Sequence, residues 1–330
     1  VARIVFVENP VFAYLGIFLV SIIASYGSSL LLVPRLRRFG FVGRDMHKED
    51  KPEVAEMGGL SIVIGFSAGI LLAIVLSTFW GLEFNIVFIL AGLMTIHTLA
   101  FIGILDDILD IPQWVKAFIP LVSAIPLMAV MAAGSTEIMI PFFGVVDFGI
   151  IYILVLLPVG VAVASNLTNM LAGFNGMEAG MGAAIFAAMI IIAFVHAQPE
   201  MLILFIPMLG ALLGFLPKNW FPAKVFPGDV GTLTIGAVLA TGVIIGNLES
   251  AGALILALYI LDFLIKLPRK FPKTFVDVQD GKLYSPKKVR GLIDLVLKLF
   301  HGMTEQRLVL AMIGAQIIVG IIIILLFLKL

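Results

Sequence analysis

Residues 101–113 read FIGILDDILDIPQ, an apolar run that ends in three aspartates within five residues. The run has the composition of a membrane helix, and carboxylates are costly in hydrocarbon, so the aspartates mark where the chain leaves the lipid. Outward from that boundary the rest of the chain divides in the same way. Of its 330 residues 61% are hydrophobic and 13% charged, which excludes a soluble globular domain. Apolar stretches near the ~20 residues that cross ~30 Å of hydrocarbon recur throughout. Ten spans are expected, at roughly 11–33, 59–80, 86–105, 114–133, 148–165, 179–197, 200–216, 231–248, 250–267 and 306–329. The fold class is therefore an all-α integral membrane protein, a single polytopic domain over residues 1–330.

Charge placement orients it. All but two of the 21 Lys and Arg residues, Arg3 and Lys329, fall after odd-numbered spans or at the start of the fourth. By the positive-inside rule those loops are expected in the cytoplasm and both termini outside. The start, VARIVFVENPVFAYLG, has no basic n-region and no small-residue cleavage site, so the first span is expected to be retained. With no cysteine, disulfides and thiolate metal sites are excluded. Connections on the opposite face are short apart from residues 134–149, GSTEIMIPFFGVVDFG, whose Gly and Pro predict a tight extended hairpin.

The last cytoplasmic segment, 268–304, has soluble-like patterning. TFVDVQDGKLY predicts a short β-hairpin turning at Asp280-Gly281. Ser285-Pro286 then reads as the cap of an amphipathic helix, KKVRGLIDLVLKLFHG. Val289, Leu292, Ile293, Val296 and Phe300 share one of its faces, and Lys287, Arg290, Asp294, Lys298 and His301 the other. Such a helix lies along the membrane surface or packs on the span ends.

Three polar constellations fall on the cytoplasmic side: DDILD at 106–110, SNLTNMLAGFNGMEAG at 165–180 and KNWFPAKVFPGDVG at 218–231. Oxygen donors without thiols or a histidine cluster suit a hard cation such as Mg²⁺, which takes one or two carboxylates and completes its shell with phosphate and water. Glycine-freed N–H groups can cradle phosphate. Taken singly, each stretch is also what a solvated helix terminus or a plain turn looks like; together on one face they point to phosphoryl chemistry at the interface. His97, mid-span, reads as a packed helix residue, and Asp262 as a partner for Lys266 one turn on.

With these loops in hand the chain resembles the polyprenyl-phosphate N-acetylhexosamine-1-phosphate transferase family, through MGGLSI (57–62), GILDDILD (103–110), NLTNMLAGFNGMEAG (166–180) and PAKVFPGDVGTLTIG (222–236). NMLAGFNGMEAG is similar to the eukaryotic and archaeal branch, whereas the bacterial phospho-MurNAc-pentapeptide branch carries a DGxDG version. The resemblance implies transfer of GlcNAc-1-phosphate from UDP-GlcNAc to dolichyl phosphate. It implies Asp106 and Asp107 as a catalytic pair, and Asn169 and Asp229 as ligands of Mg²⁺, with Mn²⁺ as a substitute. It further implies Lys116 at the pyrophosphate, Gly173 and Phe226 around the uracil with Asn175 bonded to it, Arg269 at the phosphates or sugar, and Glu56 near the GlcNAc. The chain departs from the family in having Pro268-Arg269-Lys270-Phe271 where eukaryotic members have a PRHR-like stretch. Asp110 is not shared throughout the family either.

Expected partners are the two substrates and the bilayer, with no nucleic acid and a homodimer as one candidate assembly. The compact loops favour an archaeal plasma membrane over an endoplasmic reticulum. The rival readings are a bacterial-type UDP-hexosamine transferase and, from another class, a secondary transporter, which would show repeats and midplane charges.

Overall fold

The computed structural model describes residues 10–109, 111–272, 276–286 and 288–329. Helix α1 (Pro10–Arg38) leads through a hairpin of β1 (Val42–Arg44) and β2 (Glu53–Ala55) into α2 (Gly59–Trp80) and α3 (Ile86–Leu109). The fourth span is two helices, α4 (Gln113–Ser123) and α5 (Ile125–Met131), followed by the hairpin β3 (Glu137–Ile140) and β4 (Gly144–Asp147). Then come α6 (Leu157–Met170), α7 (Met177–Val195), α8 (Pro199–Asn219), α9 (Gly228–Ile245), and the pair α10 (Glu249–Ile255) and α11 (Ala257–Lys266). The chain closes with β5 (Asp277–Gln279), β6 (Lys282–Tyr284), α12 (Leu292–Leu299) and α13 (Glu305–Phe327). Among the described residues nine runs are long and apolar enough to cross a membrane, and the α10–α11 pair is the tenth. The chain is an integral, multi-pass membrane protein, as its composition predicts.

Helix α9 is the hub. Of its apolar window 89% is buried, against 22% for α1 at the periphery. It packs against α3, α6 and α8, while α1 and α2 sit on α8, and α13 sits on α7. Between helices in lipid the hydrophobic effect has little to act on, so close backbone approach does the work, and small residues permit it. At Gly103 on α3 a Cβ would lie 2.5 Å from the Val230 Cα of α9, so this crossing closes only with glycine.

Besides the divided fourth span, the fifth and ninth spans are irregular, one from a local cause and one from a distant cause. Pro158 cannot donate a backbone hydrogen bond, and just before it the fifth span opens with a π turn at Tyr152–Leu156, in which the Leu157 N–H reaches the Tyr152 carbonyl. The ninth span bends by 60° between α10 and α11 without any proline. There the Gln316 side chain of α13, fully buried, donates to the Ile255 carbonyl at 3.0 Å. An inserted amide of this kind is a recognised cause of a kink.

Both expected hairpins are present. Asp280 (φ 49°) and Gly281 (φ 69°) make the turn between β5 and β6, whose register pairs Gln279 with Lys282. The helix expected to open at Ser285-Pro286 instead begins at Leu292. Its first turn is capped by acids further on or far away: Asp294 accepts the Arg290 N–H at 2.7 Å and Asp262 accepts the Leu292 N–H at 2.8 Å. Asp294, expected on the exposed face, is therefore buried, and burial pushes its carboxyl above the usual range. Leu292, Ile293 and Leu297 face inward, and α12 packs on α11 and β6. Leu295, Leu299 and Phe300 form its exposed apolar edge. Lys287 lies outside the described residues.

Candidate functional site

The last turn of α3 delivers two carboxylates to the start of α9. Asp107 accepts the N–H of Asp229 at 2.8 Å and that of Val230 at 3.3 Å, so it caps α9 from another helix. Gly228 (φ +66°) makes room for it; a Cβ there would sit 2.5 Å from Asp107 Oδ2. Its neighbour Asp106 is buried, accepts the Ile111 N–H at 2.8 Å, and meets the ammonium of Lys116 from the first turn of α4. The same ammonium lies 3.1 Å from Asp229 Oδ2. Two carboxylates, Asp106 and Asp229, thus share one lysine at the positive end of a helix, with Asp107 beside them, which leaves negative charge in excess.

Asn169, in the last turn of α6, joins this group through a hydroxyl. Thr232 Oγ1 bonds Asn169 Oδ1 at 2.9 Å, and Thr168 Oγ1 donates to the Thr232 carbonyl at 2.8 Å. The Asp262–Lys266 pair expected from spacing is present at 2.7 Å, buried, and Lys266 also donates to the Met170 carbonyl at 2.7 Å. It caps the helix end that carries Asn169. Glu56 stands beside Asp107, close enough to act on it electrostatically, and burial pushes the Glu56 carboxyl above the usual range.

The glycine-rich loop after α6 is anchored by buried polar groups. Gly173 (φ +113°) donates to Glu178 Oε1 at 2.5 Å. Asn175 spends its polar atoms inside the protein: its N–H on Glu305 (2.7 Å), its amide N on Asp45 (3.0 Å), and its oxygen on the Ala223 N–H (2.8 Å). Lys48 bridges Asp45 and Glu305 at 2.6 Å each, and His47 stacks on Phe174 with centroids 4.1 Å apart. Asp45, His47 and Glu305 approach one another as metal ligands would, yet Lys48 already supplies the counter-charge to the two acids. Through Ala223 this loop is tied to the one bearing Phe226, whose backbone pairs with Ala55 and Gly58 at 2.8 Å.

The structure therefore brings together Asp106, Asp107, Lys116, Asn169, Asp229 and Glu56, and holds Gly173, Asn175 and Phe226 on two linked loops beside them. Arg269 is exposed and bonds the Ile265 carbonyl of its own helix at 2.6 Å. Asp110 lies outside the described residues. His97 is the packed helix residue expected, bonded to Ser67 at 2.8 Å and to the Leu93 carbonyl at 2.9 Å. Sequence reasoning missed Thr232, Thr168, Asp45, Lys48 and Glu305. TLT and EQ carry no signal of their own, and their partners lie tens of residues away or more.

It also missed a groove. The bend of α10–α11 opens an apolar cavity of about 200 Å³ against α6 and α9, lined by Leu156, Leu167, Leu239, Val243 and Ile260. One end holds the hydrogen-bonded pair Tyr152 and Glu249. The other reaches Leu167, two residues before Asn169.

A family model described as glycosyl transferase family 4 matches residues 88–247. A Saccharolobus solfataricus protein, provisionally named UDP-N-acetylglucosamine–dolichyl-phosphate N-acetylglucosaminephosphotransferase, is 33% identical over 92% of this chain and 94% of its own. The Schizosaccharomyces pombe protein of that name is 26% identical over 80% of this chain and 69% of its own. A phospho-N-acetylmuramoyl-pentapeptide-transferase of Halalkalibacterium halodurans is 30% identical over 75% of this chain and 81% of its own.

Proposed function

The chain belongs to glycosyl transferase family 4, and on that premise we propose that it transfers GlcNAc-1-phosphate from UDP-GlcNAc to dolichyl or a similar polyprenyl phosphate. The products are the lipid diphosphate-linked GlcNAc and UMP. The observation that carries this reading is the Asp106–Lys116–Asp229 cluster, set at the N-terminus of α9, with an apolar groove running from the C-terminal half of that helix to Leu167 in the last turns of α6. One substrate has a long apolar tail, which the groove suits, and the other a diphosphate, which the cluster suits. By the positive-inside argument this face is the cytoplasmic one, and the archaeal relatives favour a plasma membrane.

The donor set fits Mg²⁺ or Mn²⁺: Asn169 and Asp229 offer oxygen only, in a place with excess negative charge. When bound, the cation would neutralise the diphosphate and favour UMP as leaving group. The chain's own residues do the remainder. Asp107 fixes the first turn of α9, and with it Asp229. Asp106 holds Lys116, whose ammonium can pass from Asp229 to the phosphate oxygens as the diphosphate enters. Thr232 orients the Asn169 amide. An oxygen of the lipid phosphate then bonds to the β-phosphorus of UDP-GlcNAc, the bond from that phosphorus to the bridging oxygen breaks, and UMP departs with the oxygen.

Purified protein offered UDP-GlcNAc or UDP-MurNAc-pentapeptide, each with dolichyl or undecaprenyl phosphate, decides the reading. The expected result is UMP release with UDP-GlcNAc and a polyprenyl phosphate, abolished by chelation of divalent cations. Turnover restricted to UDP-MurNAc-pentapeptide would overturn it in favour of the bacterial reaction. Accumulation of a phosphorylated enzyme with UDP-GlcNAc alone would replace the single displacement by a double one.

A further inference from the structure

The loop that leads to Asp229 has a second face, away from the acids. There Arg37 of α1, Lys218 near the end of α8 and Lys224 in the loop after it line one concave pocket of about 340 Å³. Its remaining wall is mostly apolar, from Leu30, Val33 and Pro34, with Ser29 beside them. None of the three cations meets a carboxylate among the described residues. Lys218 instead holds its ammonium 5.7 Å from the centroid of the Tyr26 ring.

The level of the pocket identifies its ligand. Tyr26, Leu30 and Leu31 are exposed on a helix that spans the membrane, and Arg35, Arg37 and Arg38 follow within two turns. The pocket thus straddles the hydrocarbon boundary, apolar below and cationic above. Topology alone calls for basic residues on this face, but not for three in a single concavity that meet no carboxylate among the described residues. Basic pockets between helices at this depth suit lipid headgroups. We propose that this pocket binds the headgroup of an anionic membrane phospholipid. Its phosphate sits among Arg37, Lys218 and Lys224, and its glycerol and first acyl carbons lie against Leu30, Val33 and Pro34. The Lys224 N–H donates to the Lys218 carbonyl at 2.8 Å, so a headgroup held by both side chains braces the turn that runs on to Phe226 and Asp229.

The test uses the full-length protein in nanodiscs of zwitterionic lipid with or without roughly 30 mol % anionic phospholipid, and native mass spectrometry of lipid retained after detergent exchange. Three proteins are compared: wild type, the triple variant Arg37→Gln, Lys218→Gln, Lys224→Gln, and a control with Arg38→Gln, Lys282→Gln, Lys298→Gln. Wild type and control should retain anionic phospholipid, and the pocket variant should retain about tenfold less or lower still. Equal retention by the two triple variants would overturn the proposal, as would no preference of wild type for anionic over zwitterionic lipid. Two further arms add inorganic phosphate or a short polyprenyl phosphate as competitor. Displacement of the phospholipid by inorganic phosphate at matched concentration, or occupancy by polyprenyl phosphate alone, would refute a phospholipid site.

Discussion

Asp106 and Asp107 are neighbours in sequence with different tasks. Asp107 spends both oxygens on the first N–H groups of α9, whereas Asp106 faces Lys116. Asp107→Ala should therefore lower the melting temperature, by a cap loss of roughly 1–2 kcal/mol, as well as activity. Asp106→Ala removes a buried carboxylate that holds Lys116 and accepts the Ile111 N–H, so it should lower the melt as well and cut turnover at least as deeply. Turnover at the wild-type level in Asp106→Ala would contradict the assignment. Glu56 gives a pH signature. Its carboxyl is raised by burial, so its contribution to stability is complete below the unfolded pKa and is lost as pH rises through the folded one. Glu56→Gln should melt with wild type in acid, increasingly above it as pH rises from the unfolded toward the raised value, and by a constant margin beyond that. A difference that is flat with pH would rule this out. The sequence makes the carboxylates visible as candidates, because acids at a span end stand out. It does not separate cap from lysine partner, since that depends on where α9 begins, more than a hundred residues away.

At the scale of elements, the local turn at Asp280-Gly281 read correctly, whereas the π turn before Pro158, the start of α12 and the bend of the ninth span did not. The Asp280-Gly281 turn and the Pro158 irregularity are written in adjacent residues. The bend in the ninth span is not: nothing at 255–257 breaks a helix, and the cause is Gln316, in another span. The start of α12 is likewise set by Asp262 on α11, which overrides the Ser285-Pro286 signal. Gln316→Leu leaves the Ile255 carbonyl without its buried partner, at a cost of about 1–3 kcal/mol, and favours a straighter span. Because that bend opens the apolar groove, the variant should raise the KM for the lipid acceptor while the KM for the UDP-sugar stays put. Steady-state kinetics with each substrate varied in turn checks this; a rise in both would mean that the groove and the nucleotide site are not separable.

Across the whole molecule, hydropathy and charge asymmetry were enough to count the spans and to gather the polar loops on one face. Which loop residues turn toward a ligand was less legible. Asn175 carries the amide expected to meet uracil, yet in this conformation Glu305, Asp45 and Ala223 engage it, and Arg269 stands apart from the cluster. Those outcomes depend on loops 45–58, 171–176 and 218–231 meeting over long separations, for which a single sequence has no periodicity to read. The central claim is that the cluster around Asp229 moves a sugar phosphate onto a lipid. Its most direct test follows UDP-GlcNAc labelled at the β-phosphate, with dolichyl phosphate and Mg²⁺, in wild type and Asp229→Ala. The label should move into the lipid fraction with one UMP released per transfer, and the variant should fall by at least about a hundredfold. Label that stays in the aqueous phase with wild type, or transfers equally well with Asp229→Ala, would contradict the account.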